Sequence, residues 1–237
     1  MPHLSSPLWL QVHSWIRFPG LVHGFSGHLP DRTAPLSGPG MAELPLFTLK
    51  QVHGDDIVVV SKHDMRDTKP EADGMMTAET GVLLGIATAD CVPVLMVEPE
   101  KKLAAALHAG WRGTLKGISV RAVERLATDW GVNPQRLQVA LGPAIGECCY
   151  EVGREVGEAL HQRWGMSSPS AWKPAGEKGF LDLRAINLSQ LECAGVAREH
   201  VYTIGPCTFC ETAFASYRRE GAGAGRQLSI IGWQSET

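Results

Sequence analysis

The sequence predicts an α+β fold in which helices pack against a mixed β-sheet within a single domain. The length of 237 residues suits one large domain. Short apolar runs typical of buried strands are separated by fewer, longer amphipathic stretches, and the two kinds of segment do not alternate as a doubly wound fold requires. No linker-like stretch divides the chain. We therefore predict one domain over residues 1–237, in which residues 1–45 form an irregular, loop-rich N-terminal region.

The elements after this region follow from local patterns. The predicted strands are short and rich in Val, Ile and Leu, and they cover residues 46–51, 57–61, 82–88, 93–97, 103–108, 137–141, 201–204 and 228–231. The predicted helices carry an apolar stripe, and they cover residues 114–130, 152–164 and 183–194. Gly131 and Gly195 follow two of these helices, which is typical of helix C-termini.

Composition and charge exclude several classes of partner. The net charge of −3 and the pI near 6.3 provide no basic surface for nucleic acid or for an anionic membrane. The most apolar stretch, residues 82–97, is too short to span a bilayer and is interrupted by Asp90 and Pro93. The first ten residues lack the features of a secretory signal, so we expect a cytoplasmic protein.

The six cysteines are not expected to form a disulfide framework in a reducing compartment. They are core residues, metal ligands or nucleophiles. Three residues, His53, Cys91 and His108, stand at predicted strand ends beside small or turn-forming residues, where a rigid sheet presents side chains to a cleft. One thiolate and two imidazoles suit tetrahedral zinc and leave a fourth position open. The alternative is three unrelated buried or loop residues, because their spacing is unlike that of a zinc finger.

Several longer motifs make the sequence recognisable. They are Lys50–Gly54, Ala87–Pro93, His108–Gly113, Leu141–Val152, Cys207–Cys210, Phe214–Arg219 and the pair Gly225-Arg226. In order and in content these motifs resemble the YfiH-type laccase-domain family, over residues 46–233 approximately.

The resemblance implies a YfiH-like α+β domain with one zinc ion per chain, held by His53, Cys91 and His108. It also implies phosphorolysis of adenosine, inosine, guanosine or methylthioadenosine, together with deamination of adenosine. Purine nucleosides and phosphate are then the partners, without nucleic acid or membrane, for a monomer or homodimer. Family names also preserve an older description as copper-dependent polyphenol oxidases, and some bacterial members carry a cell-wall editing role.

Other residues in these motifs are candidates for proton transfer and substrate binding. Asp73, Asp90 and Glu151 are candidate catalytic carboxylates, and the first two are also candidate partners of a ligand imidazole. Arg112 precedes a predicted helix and supplies a forked donor for phosphate. Tyr150 is a candidate for stacking on a purine.

Arg218 and Arg226 complete the predicted binding residues, as donors to phosphate or ribose. For all of these residues the alternative is structural hydrogen bonding or a surface ion pair.

The remaining cysteines receive more ordinary interpretations. Pro206-Cys207 and Cys210 match half of the zinc-deaminase signature, but no histidine has Glu two positions later. Cys207 and Cys210 are therefore interpreted as structural thiols or as a secondary metal site. One member of the vicinal pair Cys148-Cys149 is expected to pack in the protein, and Cys193 is expected in the core.

Rival functions remain open. The nine histidines include no His-x-His pair of the kind that multicopper oxidases use, which argues against laccase chemistry, although the trio could also take up copper adventitiously. A metal-free hydrolase would use Cys91 as nucleophile and His108 as base. A non-enzymatic binding or regulatory protein is the third possibility.

Overall fold

The computed structural model describes residues 8–29, 44–64, 69–164 and 171–235, and it confirms the predicted α+β class. The helices are α1 (Trp111–Lys116), α2 (Ile118–Trp130), α3 (Arg154–Trp164), α4 (Leu183–Cys193) and α5 (Tyr217–Glu220). The strands are β1 (Trp9–Leu10), β2 (Leu21–Ser26), β3 (Leu46–Thr48), β4 (Ile57–Val59), β5 (Gly74–Thr77), β6 (Val82–Thr88), β7 (Val92–Glu98), β8 (Leu103–Ala109), β9 (Gln138–Leu141), β10 (Glu151–Gly153), β11 (Trp172–Ala175), β12 (Lys178–Leu181), β13 (Val201–Thr203) and β14 (Gln227–Trp233).

The described strands form mixed sheets. A six-stranded sheet has the order β13-β9-β7-β8-β5-β4, and a five-stranded sheet has the order β1-β2-β14-β6-β3. Both are mixed, because β13 runs parallel to β9, β4 to β5 and β3 to β6, whereas the other neighbours are antiparallel. A small antiparallel sheet, β10-β12-β11, covers one side of α3.

The core has two layers, one on each face of the six-stranded sheet. Along β7, Val94 and Met96 face the cluster that includes the apolar sides of α2 and α4, whereas Leu95 and Val97 face the five-stranded sheet. This alternation follows from the two-residue period of a strand. A strand buried on both faces is continuously apolar, which is why the sequence of β6 to β8 predicts these elements well.

One long predicted helix is divided into two. The sequence predicts a helix over residues 114–130, but α1 ends at Lys116 and α2 begins at Ile118. Gly117 lies between them in a left-handed conformation, with φ of 86°. The predicted helix over residues 152–164 begins later, at Arg154, because the preceding residues pair with β12.

The N-terminal region contains strands that local patterns do not predict. Residues 8–29 fall in the region predicted to be irregular, yet β2 pairs with β14 at the other end of the described chain, and β1 pairs with β2. The local sequence of β2 does not predict a strand, because it contains His23 and Gly24 and its partner strand is distant in the sequence. Residues 30–43 of the predicted irregular region lie outside the described residues. Among the described residues, no helix is long and apolar enough to cross a membrane.

Candidate metal centre

Strand register brings the predicted ligands together at one end of the central sheets. Pro93 of β7 lies opposite His108 of β8, so Cys91, just before β7, lies beside the end of β8. His53 lies in the loop that follows β3, which pairs with β6 in the five-stranded sheet. The centre therefore receives ligands from both large sheets.

His53, Cys91 and His108 form a compact group. Their potential ligand atoms all lie within 4.8 Å of one another, and the two imidazole ring centres are 4.8 Å apart. His108 is buried, Cys91 is partly exposed and His53 is exposed. A group with one exposed side fits a metal ion that also contacts a ligand from solution.

Asp73 joins two of the three candidate ligands. The Asp73 carboxylate lies 2.7 Å from His108 Nδ1, and both side chains are buried. Its oxygens also accept hydrogen bonds from the backbone N–H groups of Val52, His53 and Gly54, at 3.1, 3.0 and 2.6 Å. This carboxylate fixes the His108 ring and leaves Nε2 as its ligand atom, as carboxylate partners of metal-binding histidines do.

Hydrogen bonding within the group shifts three pKa values. Burial raises the pKa of the Cys91 thiol, but hydrogen bonds with His108 and His53 outweigh burial and lower this pKa to about 6. Burial lowers the pKa of His108, but Asp73 and Cys91 raise it to about 9. For Asp73, burial acts to raise the pKa, and its hydrogen bonds, led by that from His108, lower it below the ordinary value. Cys91 is thus a thiolate, the form that binds metals, at neutral pH.

The loops that carry the ligands have constrained backbones. His53 and Asp90 are non-glycine residues with positive φ, at 59° and 85°. Such conformations cost free energy and persist where the surroundings fix them. The Asp73 carboxylate fixes the loop of His53, and the Gln51 side chain holds the same loop by bonding to both the N–H and the carbonyl of Ala87.

Gly110 leaves the space that the ligands use. A Cβ atom at Gly110 would lie 3.1 Å from Cys91 Sγ and 3.1 Å from His53 Nδ1. Gly110 and Gln51 both lie within the family motifs, but their residue types alone predict no role at the site. Their roles depend on contacts across the fold, which a motif alone does not reveal.

Tyr150 lies near Cys91, and Arg218 and Arg112 lie near Tyr150. Burial raises the pKa of Tyr150, as does the nearby charge of Cys91, whereas Arg218 and Arg112 act to lower it. The Arg218 guanidinium lies 5.4 Å from the Tyr150 ring centre and donates to the carbonyl of Glu151. Arg112 is exposed and lies over the ring of Trp111. Three predicted binding residues are therefore brought together near Cys91.

The other predicted site residues make structural contacts. Asp90 accepts hydrogen bonds from Thr208 Oγ1 and the Arg218 N–H, both at 2.7 Å, and contacts no imidazole in these bonds. The Glu151 carboxylate lies 2.7 Å from Lys178 Nζ. The Arg226 guanidinium donates to the carbonyls of Ala224 and Gly225 in its own turn.

A second group of potential ligands lies beside the Tyr150 loop. The sulfur atoms of Cys148, Cys149, Cys207 and Cys210 all lie within 4.8 Å of one another. Both members of the vicinal pair belong to this group, and Cys149 is only partly exposed, so the expectation that one of them packs in the protein stays a prediction. Cys193 is exposed, which corrects its predicted core position: it is the last residue of α4 and its side of the helix faces solvent.

This geometry defines a class of protein. It is an α+β protein with mixed sheets, in which two histidines and a cysteine form one group of potential metal ligands. A family model described as multi-copper polyphenol oxidoreductase laccase matches residues 34–234. The chain therefore belongs to the YfiH-type laccase-domain family.

Relatives and solved structures agree with this assignment. A purine nucleoside phosphorylase YlmD from Geobacillus stearothermophilus is 41% identical, covering 79% of this chain and 72% of the relative. An adenosine deaminase RL5 from an unknown prokaryotic organism is 38% identical, covering 67% of this chain and 61% of the relative. The crystal structure of YlmD from Geobacillus stearothermophilus superposes with a TM-score of 0.85 at 32% identity, covering 99% of this chain and 98% of that one. A Bacillus licheniformis protein YfiH gives a TM-score of 0.83 at 26% identity, covering 98% of each chain.

Proposed function

We propose that this protein is a zinc-dependent purine nucleoside phosphorylase that also deaminates adenosine. The observation that carries the proposal is the group of His53, Cys91 and His108, held together in a chain with 41% identity to a protein named purine nucleoside phosphorylase YlmD. A 38% identical relative named as an adenosine deaminase supports the second activity. Adenosine, inosine, guanosine and methylthioadenosine are the proposed nucleoside substrates.

The donor set fits one zinc ion. Two imidazoles and a thiolate are borderline-soft ligands that zinc accepts, and three protein ligands leave a position for water or substrate. Asp73 holds His108 in one orientation, and Gly110 leaves the ligand atoms room to converge. Zinc in such a site acts as a Lewis acid toward water, phosphate or a purine base. Copper could bind the same three ligands. We propose that such copper binding is adventitious and that zinc is the functional ion.

Other residues near the centre are proposed to bind phosphate, the purine base and ribose. Phosphorolysis needs an anion positioned below the anomeric carbon and a proton for the departing base. Arg112 and Arg218 supply the positive charge for phosphate, and Tyr150 offers a ring face for the purine. Arg226 lies in the turn before β14, and its proposed contact is with ribose or phosphate.

The three carboxylates take different parts in this proposal. Asp73 and Asp90 are positioning residues, because their oxygens already bond to the ligand loops and to the Arg218 backbone. Glu151 adjoins Tyr150 and remains half-exposed, so it is the proposed group for proton transfer. Its carboxylate lies 2.7 Å from Lys178 Nζ, which holds it in place beside Tyr150.

The test is to incubate zinc-replete protein with adenosine, with and without phosphate, and to separate the products. We expect adenine and ribose 1-phosphate only when phosphate is present. Inosine should accumulate without phosphate, whereas with phosphate it should be converted further to hypoxanthine and ribose 1-phosphate. Cys91→Ala should abolish both reactions, whereas Cys193→Ala, which alters an exposed cysteine, should change neither. Protein with proven zinc at the centre that forms neither adenine nor inosine would contradict the proposal.

A metal-free Cys–His hydrolase is the second candidate, and one observation favours it. Asp73, His108 and Cys91 are linked in series, and the Cys91 pKa near 6 provides a thiolate nucleophile. Metal analysis separates the two candidates, because a thiolate bound to zinc is not free to attack. Activity that persists after complete zinc removal, and that iodoacetamide abolishes at Cys91, would favour the hydrolase.

A further inference from the structure

Two chain segments bring four thiols together outside the His53, Cys91 and His108 centre. Cys148 and Cys149 lie in the loop between β9 and β10, and Cys207 and Cys210 lie between β13 and α5. The Sγ atom of Cys210 is 3.8 Å from that of Cys148 and 3.3 Å from that of Cys149. All four sulfur atoms lie within 4.8 Å of one another.

These separations match a tetrahedral metal site. Zinc–sulfur bonds of about 2.3 Å place the sulfurs of a tetrahedral site about 3.8 Å apart. One pair already has that separation, and small rotations about the side-chain torsions suffice to adjust the others. The spacing of Cys207 and Cys210, with two residues between them, is typical of structural zinc sites. Exposure of Cys148 and Cys210 gives an ion a path from solvent.

The backbone around Cys207 is arranged for a thiolate. The Gly146 N–H donates to Cys207 Sγ at 3.2 Å, and the N–H groups of Phe209 and Cys210 point to the same sulfur. Hydrogen bonds of this kind orient a metal-binding sulfur and offset its charge. On the other side of the turn, the Arg219 guanidinium donates to the carbonyls of Thr208 and Phe209.

The two segments are also joined by the main chain. Ala144 and Cys207 form a β-bridge, and the Thr208 N–H donates to the Ala144 carbonyl at 3.1 Å. A Cβ atom at Gly146 would lie 3.4 Å from Cys148 Sγ and 3.4 Å from the Cys207 Cβ. These are ordinary packing distances, so the Gly146 turn lies directly against the two thiols without crowding them.

We propose that Cys148, Cys149, Cys207 and Cys210 bind a second, structural zinc ion. With zinc bound, all four ligands would be protein thiolates, so the site would be closed to substrate and would differ in kind from the His53, Cys91 and His108 centre. The ion links the loop that carries Tyr150 to the segment that carries Thr208 and Arg218. Because Thr208 and Arg218 both bond to Asp90, beside Cys91, this zinc fixes the wall of the first centre.

Zinc stoichiometry tests the site independently of any enzymatic activity. Protein purified under reducing conditions and loaded with zinc should contain two zinc ions per chain, measured by elemental analysis. The double variant Cys207→Ser/Cys210→Ser should retain one, and Cys91→Ala should retain the other. Cys193→Ser is the matched control, because it replaces an exposed cysteine outside the cluster, and it should retain both.

Two further measurements keep the test decisive if the double variant does not fold. Cobalt-loaded wild-type protein should show thiolate-to-metal absorption that Cys91→Ala reduces only in part. Zinc should also protect the four cluster cysteines of the wild-type protein from alkylation while Cys193 reacts. A single zinc per chain that Cys91→Ala removes would overturn the proposal, and so would a Cys149–Cys210 disulfide in the reduced preparation.

Discussion

At the scale of single residues, Asp73 holds two of the candidate ligands in position. It is fully buried, it orients His108, and it binds the N–H groups of a loop in which His53 adopts a positive φ. Successive N–H groups that converge on an anion form a nest, and here the anion belongs to the protein. One carboxylate therefore determines the position of two candidate ligands.

Replacing Asp73 with Asn should weaken metal binding. The amide removes the charge and replaces one acceptor oxygen by a donor, so it cannot satisfy both His108 and the three N–H groups. We expect zinc affinity at the centre to fall about 10–100-fold, measured by competition with a chromogenic chelator. Glu71→Gln is the control, since Glu71 is exposed and pairs with Lys50. Equal affinities for Asp73→Asn and wild type would contradict the positioning role.

Gly110 provides a second test at this scale. In Gly110→Ala the new methyl group would lie 3.1 Å from both Cys91 Sγ and His53 Nδ1, closer than ordinary packing. Displacing two ligand atoms by a few tenths of an ångström disturbs coordination, so zinc affinity should fall at least tenfold with little loss of thermal stability. Gly223→Ala, which meets no atom within 4 Å, should bind zinc as the wild type does.

The site residues were not equally predictable from the sequence. His53, Cys91 and His108 are chemically distinctive, and each stands beside a turn, so they were candidate ligands that the family resemblance then singled out. The roles of Gln51 and Gly110 arise only where separate loops meet, and glutamine and glycine have no distinctive chemistry. Asp73 and Asp90 look alike in sequence, yet strand register places only Asp73 against an imidazole.

At the scale of elements, the junction of α1 and α2 shows why one apolar pattern produced two helices. The stripe predicted over residues 114–130 continues through both helices, and Gly117 interrupts the helical backbone between them. The aromatic ring of Trp164, from α3, occupies the side of Gly117 where a side chain would lie. A packing contact with a third helix is invisible in the periodicity of the first two.

Gly117→Ala should therefore be strongly destabilising. Its Cβ would lie 2.6 Å from a Trp164 ring carbon, in addition to the cost of φ at 86°. We expect a loss of about 2–4 kcal/mol in the free energy of unfolding, measured by urea denaturation. Gly131→Ala is the matched control, since Gly131 also has a positive φ but a Cβ atom there would meet no atom within 4 Å. It should lose about 1 kcal/mol, the backbone cost alone; equal losses would exclude the Trp164 contact as the cause.

Some strands can be predicted from their own sequence, whereas others form only because of partners elsewhere in the chain. Residues 82–88 were predicted with the bounds that the structure gives β6, because a strand buried on both faces is apolar throughout. The strands β2, β10, β11 and β12 are short or partly polar, and they depend on partners that no local pattern identifies. The fold class was therefore predictable, but the pairing of the two chain ends was not.

At the scale of the whole molecule, the candidate centre lies where the two large sheets meet. His53 follows a strand of the five-stranded sheet, Cys91 joins the two sheets, and His108 belongs to the six-stranded sheet. The layer of core between these sheets also contains Trp15, Phe25 and Trp233, all nearly inaccessible to solvent. Geometry at the centre thus depends on the packing of one sheet against the other.

His23 makes that packing sensitive to acid. It lies on β2 with 2% of its surface exposed, its Nε2 accepts the Val12 N–H at 3.1 Å, and its ring packs against Trp15. Burial lowers the His23 pKa from 6.5 to about 4. Below pH 6.5 the unfolded chain binds a proton that the folded chain does not, so folding stability falls as the pH is lowered toward 4 and then changes no further on this account.

The expected loss from His23 is about 3 kcal/mol between pH 6.5 and pH 4, from the difference between the two pKa values. Chemical denaturation at a series of pH values measures it. His23→Gln keeps an acceptor for the Val12 N–H but cannot gain a proton, so it should flatten the pH dependence by that amount while being less stable than wild type at pH 7. His161→Gln replaces an exposed histidine on α3 and should leave the profile unchanged. A His23→Gln profile parallel to that of the wild type would show that acid acts on the sheet packing through other groups.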